Sequence, residues 1–144
     1  MFYSLIPLLL SAICCSVMDI CVHKFKVSIF SKIKNGFWYQ WFDGGDSWKN
    51  KYVDRIPKNG FVKMKILGII FNKPVQLSDS WHFFKMLFVC FFILSTILEG
   101  YFMYNCFRPV DNQFLYFSVK YTIYGVLWNI VFSVFYRHIL KLRS

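Results

Sequence analysis

Acidic residues are scarce in this chain: seven Asp and Glu stand against seventeen Lys and Arg in 144 residues. No P-loop, no CxxC pair, no HExxH and no zinc-ligand spacing occurs, and nothing resembles a potassium filter. These absences set aside familiar nucleotide, dithiol-redox, zinc-protease and K⁺-channel chemistry. There is no internal repeat and no low-complexity tract. No Lys or Arg precedes Lys24, so the first apolar run lacks the positive n-region of a signal peptide. The residues before Cys14 and Cys15 are not the small residue a lipoprotein cleavage site uses. An uncleaved first helix, inserted with its N-terminus out, is the expectation. Proline is confined to Pro7, Pro57, Pro74 and Pro109; Pro7 falls in the first turns of a helix, where it is tolerated.

What is present is oil. Hydrophobic residues make up 57% of the chain and aromatic ones 22%, too apolar for a soluble domain of this size. The length leaves room for one domain, residues 1–144. Three apolar stretches, 2–22, 83–104 and 114–136, are each long enough for a helix to cross about 30 Å of hydrocarbon. The predicted fold class is therefore an all-α membrane protein: three transmembrane helices, a cytoplasmic interfacial loop over 23–81 and a short outer loop over 105–113.

Charge sets the orientation. Eleven Lys or Arg lie in 23–81 against four Asp, and three more lie in the tail 137–144. The outer loop holds Arg108 and Asp111 alone. By the positive-inside rule the loop and the C-terminus are cytoplasmic, the N-terminus is outside, and the location is the cell (inner) membrane. The excess positive charge suits anionic lipid. No nucleic-acid module accompanies it, so nucleic acid is not an expected partner. Of the five cysteines, Cys14, Cys15, Cys21 and Cys90 lie in the spans as small apolar residues, and Cys106 lies near the outer face with no evident partner.

Within the loop, residues 25–33 mix apolar side chains with lysines, as in a segment on the headgroups or an extension of the first span. Trp38, Tyr39, Trp41 and Trp48 are amphipathic rings that favour an interface. Gly44–Gly45 and Asn59–Gly60 mark turns. The apolar run 66–71 is too short to span and reads as either a short strand or a buried loop. Asn72-Lys73-Pro74 breaks the chain, and Ser78 or Asp79 is positioned to cap the second span.

Ionisable groups inside spans raise a functional hypothesis by default. Asp19 and Lys85 fall at the same shallow depth, so they either pair between the first two spans or Lys85 snorkels to the headgroups. Glu99 and Lys120 also match in depth. Their facing argues against a pair: Ser118, Thr122, Gly125, Asn129 and Ser133 form a small-polar stripe that reads as the packing face, and Lys120 points nearly opposite, outward between Tyr116 and Tyr124. His23, His82 and His138 sit one per span at the cytoplasmic boundary; they are weak metal candidates, and no metal or other cofactor is favoured. The better cluster gathers Asp19 and His23, Asp79, His82 and Lys85, and Arg137 at the cytoplasmic mouth. It could hold a lipid phosphate or move a proton; a polar clamp fixing helix register is the favoured role.

Two motifs bear a resemblance. Ser47-Trp-Lys-Asn-Lys-Tyr52, followed by Lys73-Pro-Val-Gln-Leu-Ser-Asp-Ser-Trp-His-Phe-Phe-Lys85, resembles small bacterial and phage-borne membrane proteins of unknown function with an SWKNKY stretch and a D-x-[WF]-H-x-F-K stretch. The resemblance covers about a quarter of the chain; it implies a similar topology and carries no activity. Its motif residues include Ser47, Trp48, Lys49, Asn50, Asp79, His82 and Lys85.

Three functions follow. The first is a non-enzymatic accessory, adaptor or self-assembling membrane component with lipid, protein or homo-oligomeric partners. The second is a small membrane enzyme or binding protein for a lipid headgroup or phosphate. There His82 or His23 acts as base or nucleophile, Asp79 or Asp19 orients it, and Lys85, Lys49 and Arg137 bind phosphate beside Trp48 and Asn50. The third is a pore or holin-like oligomer with Thr96, Glu99 and Asn129 along a water path.

Overall fold

The computed structural model describes residues 3–34, 36–106 and 113–142. Residues 107–112, with Arg108 and Asp111 of the expected outer loop, lie outside the described residues, as does the side chain of Cys106.

Three helices are long and apolar enough to cross a membrane: α1 (Leu5–His23), α3 (Ser80–Cys106) and α4 (Gln113–Val134, continued by a π-turn over Phe135–Ile139). Their bounds differ from the expected spans by a few residues, the ordinary uncertainty of helix ends. A short helix, α2 (Gly36–Phe42), and a series of 3₁₀ turns fill much of the long loop.

α1 is the centre. Ser11, Ala12, Ser16 and Ile20 are fully covered, and both α3 and α4 pack against it. Small side chains on α1 let two bulkier helices approach from two sides. α3 and α4 instead leave much of their apolar surface uncovered, including Phe92, Ile97, Ile123 and Ile130. That distribution suits helices whose outer faces meet lipid rather than water.

The loop end is tied together by aromatic packing. Trp41 of α2 is buried, its ring 5.6 Å from Phe83 and 4.9 Å from Phe42, which stacks on Phe30 at 4.2 Å. Beneath them Val17, Ile20, Cys21 and Leu140 form the compact core. Gly44 follows α2 and donates its N–H to the Cys21 carbonyl at 3.2 Å. A Cβ there would lie 2.6 Å from that same oxygen, so only glycine fits this approach. The C-terminal tail closes the same end. Ile29 donates to the Leu140 carbonyl at 2.9 Å and Leu142 to the Val27 carbonyl at 2.7 Å, a bridge that brings both basic segments to one end of the bundle.

Residues 25–33 are neither a helical extension nor a single element: two 3₁₀ turns, Phe25–Val27 and Ile29–Lys32, flank that bridge. The all-α expectation also needs correction. β1 (Lys63–Ile66) and β2 (Ile69–Asn72) form an antiparallel hairpin closed by Leu67–Gly68. Both turn residues have positive φ, 49° and 85°, the geometry whose twist matches a two-residue hairpin. The undecided run 66–71 thus straddles a turn, and all of it but the half-buried Phe71 is exposed. Gly60, at φ 79°, supplies the expected Asn59–Gly60 turn.

Candidate functional site

The sequence-selected polar cluster occupies the loop end, and the structure assembles one pair of it. Asp79 is the N-cap of α3: its Oδ1 accepts the His82 backbone N–H at 2.9 Å, satisfying one of the helix's free donors. The same carboxylate meets His82 Nδ1 at 2.8 Å through Oδ2. Asp79 is 2% exposed, while the His82 side chain is 37% exposed, so a buried carboxylate orients a ring that solvent still reaches. Removing the carboxylate costs both bonds. Asp79→Ala should lower stability by about 0.5–2 kcal/mol and Asp79→Asn by less, since the amide oxygen still caps; thermal unfolding of the purified protein checks this.

The remaining candidates are dispersed. Asp19 and Lys85 form no ion pair; the Lys85 ammonium lies 4.5 Å over the Trp81 ring instead. Its side chain is exposed, so it reaches out along a ring as a snorkelling lysine does. His23 and His138 are exposed, and among the described residues no three His, Cys, Asp or Glu side chains come together as a metal site. The weak metal candidates His23, His82 and His138 thus do not form a three-ligand group among the described residues. Arg137 lines a shallow groove along α4 with Asn129 and Ser133.

The SWKNKY stretch forms a 3₁₀ turn over Ser47–Lys51. Asp46 precedes it and takes Lys49 Nζ at 2.5 Å and Arg55 Nη2 at 3.3 Å. The hydrogen bond from Lys49 holds the Asp46 carboxyl below its ordinary pKa. Lys49 is thus engaged within its own loop. Trp48 is exposed with its ring 5.8 Å beneath Lys49 Nζ, and Asn50 Nδ2 is buried without a hydrogen-bond partner.

A second polar group joins the three helices toward the opposite end, where α1 begins. Lys120 of α4 forms an ion pair with Glu99 of α3. Ser4, at the start of α1, donates to the other Glu99 oxygen at 2.6 Å and meets the Tyr124 hydroxyl at 3.3 Å. Ser95 donates to the Ser4 carbonyl at 2.7 Å. The N-terminus of α1, the positive end of its dipole, therefore faces a carboxylate already held by an ammonium. Lys120 does sit between Tyr116 and Tyr124, 5.8 Å and 5.5 Å from their rings, yet it turns inward to Glu99.

The predicted packing face of α4 is corrected with it. Ser118, Thr122, Gly125 and Asn129 are exposed, and the inward seam runs through Phe117, Lys120, Tyr124 and Trp128. Trp128 Nε1 donates to Ser11 Oγ at 3.0 Å. The small residues that permit close approach are on α1, so the large rings of α4 fill the space against them. Between α3 and α4 a cleft of about 700 Å³ remains, lined by Leu8, Phe92, Ser95, Thr96, Glu99 and Trp128 among others. Asn129 lines the separate groove on α4, so Thr96, Glu99 and Asn129 do not share one channel within a single chain.

Neither family models, nor curated proteins, nor solved structures give a match to this chain.

Proposed function

We propose that the protein is a non-enzymatic, multi-pass component of the cell (inner) membrane, an accessory or self-assembling subunit whose basic loop and C-terminus are cytoplasmic. The observation that carries the reading is the division of labour among its polar groups. Glu99, Lys120, Ser4 and Asp79 are engaged with one another or with helix ends, while α3 and α4 keep an open cleft and uncovered apolar faces between and around them. Groups consumed in holding three helices together leave little for catalysis, and uncovered helix faces suit association within the bilayer. The concentration of basic residues at one end of the bundle supports the orientation.

A second reading rests on the Asp79–His82 pair. A buried carboxylate on Nδ1 of a solvent-accessible histidine is the arrangement of an oriented general base, suited to a small membrane enzyme or binding protein acting on a lipid headgroup or phosphate. Native mass spectrometry of the detergent-purified protein separates the two. A discrete oligomer without retained ligand, unchanged by His82→Gln, is expected. A phospholipid retained by the native chain and lost in His82→Gln would overturn the first reading in favour of the second. Leakage of dye from liposomes by that oligomer would place the assembly among pore or holin-like proteins.

A further inference from the structure

We propose that the β1–β2 hairpin is a membrane-surface anchor whose apolar tip enters the headgroup layer of an anionic leaflet while the lysines at its base bind lipid phosphate. The proposal goes beyond the assembly reading and rests on the three helices spanning a bilayer.

The tip presents four apolar residues to solvent. Leu67 is 97% exposed, and Ile66, Ile69 and Ile70 beside it are all more than half exposed. The register adds a face. Met64 opposes Phe71 and Ile66 opposes Ile69, so one side of the ribbon is wholly apolar. The other side carries Lys63 and Lys65, with Asn72 and Ile70 opposite them. A two-stranded ribbon of this kind is marginal in water and gains from a surface that covers its apolar side.

The turn itself points the same way. A turn with positive φ at both positions favours Asn-Gly, which is polar and adopts the left-handed region readily. Here Leu67 holds φ 49° instead. The chain thus carries a branched apolar side chain where backbone preference and solubility both favour asparagine.

Charge selects the occupant. From Ile56 to Ser78 the chain contains Lys58, Lys63, Lys65 and Lys73 and no acidic residue, while Arg55 is held by Asp46. An apolar tip above a basic collar matches an anionic lipid interface, where tails receive the tip and phosphates receive the lysines. Geometry permits it. Seven residues separate Asn72 from the start of α3 at Ser80, a tether of at most about 25 Å. Each four-residue strand adds a reach of about 13 Å from base to tip.

The test is hydrogen exchange by mass spectrometry on the full-length protein, one copy per nanodisc, in phosphatidylcholine alone and with about one third phosphatidylglycerol. The amides of 64–71 should exchange about tenfold more slowly in the anionic discs. Lys63→Gln with Lys65→Gln should abolish that difference. Leu67→Asn is the sharper variant, because it improves the turn while removing the anchor. It should speed exchange of the hairpin in anionic discs and leave α1, α3 and α4 protected. A Leu67→Asn hairpin that exchanges as slowly as the native one would overturn the proposal, since turn chemistry then suffices. Slow exchange seen only with two copies per disc would overturn it as well, assigning the tip to a second chain. Loss of protection in the three helices would identify failure of the spanning arrangement itself.

Discussion

Replacing Lys120 by Met should destabilise the protein by about 3–5 kcal/mol, the range found when one partner of a buried ion pair is removed. Both side chains of the pair are 11% exposed, and the surroundings are apolar helices, so Glu99 would be left with Ser4 as its hydroxyl donor and no countercharge. Glu99→Gln should be milder, because the amide still accepts from Ser4 and the long Lys120 side chain can turn toward the Tyr116 and Tyr124 rings. The double variant Glu99→Gln with Lys120→Met should recover much of the loss, since no lone charge then remains among the apolar helices. Thermal unfolding in lipid nanodiscs, followed by circular dichroism, measures all three. A Lys120→Met protein as stable as the native one would mean that the ion pair does not hold α3 and α4 in place.

Trp41→Ala should cost about 3–5 kcal/mol, the usual range for emptying a large aromatic site. Trp41 is 8% exposed and stands between α2 and α3, with Phe42, Phe83 and Phe84 around it. Nothing behind it can collapse easily, because the Gly44 backbone already lies against the end of α1. Trp48→Ala is the internal control. Trp48 is 41% exposed and packs beside Tyr52 at 6.2 Å, so its loss should stay within about 0.5 kcal/mol. Equal losses for the two tryptophans, read as melting temperatures in the same detergent, would contradict the placement of α2 as a wedge under the bundle.

The two tryptophans illustrate the limit of composition. Trp38, Tyr39, Trp41 and Trp48 look alike in the sequence, as interfacial rings in a basic loop. Burial separates them. Trp41 is core because α2 turns one face toward Phe83 and Phe84 of α3, contacts more than forty residues apart in the chain. Asp79 lies at the other extreme. Its role as a helix cap was legible as one of two choices, Ser78 or Asp79, because capping depends on residues three apart and on the start of an apolar helix. The companion bond to the His82 ring uses the same local spacing.

Glu99 and Lys120 were legible by half. Counting along each helix placed them at one depth, and the structure joins them at that depth. Depth is a one-dimensional property, fixed by a rise of about 1.5 Å per residue, and the chain alone supplies it. Facing is a property of pairs of helices. The small-polar stripe on α4 was a reasonable packing face for that helix taken alone, yet α1 carries its own small residues at Ser11, Ala12 and Ser16, with Ser4 just before it. One small surface against one large surface fills space better than two small ones, so α4 turns its rings inward and Lys120 goes with them. By itself, then, the sequence determined three apolar helices and the basic segments, and narrowed the cap of α3 to Ser78 or Asp79, because hydrophobic length, charge and capping are local quantities. Tertiary structure alone decided which helix lies at the centre, which face of α4 meets it and where Lys120 finds its countercharge. Those outcomes depend on the fit of surfaces that meet only after the chain has folded.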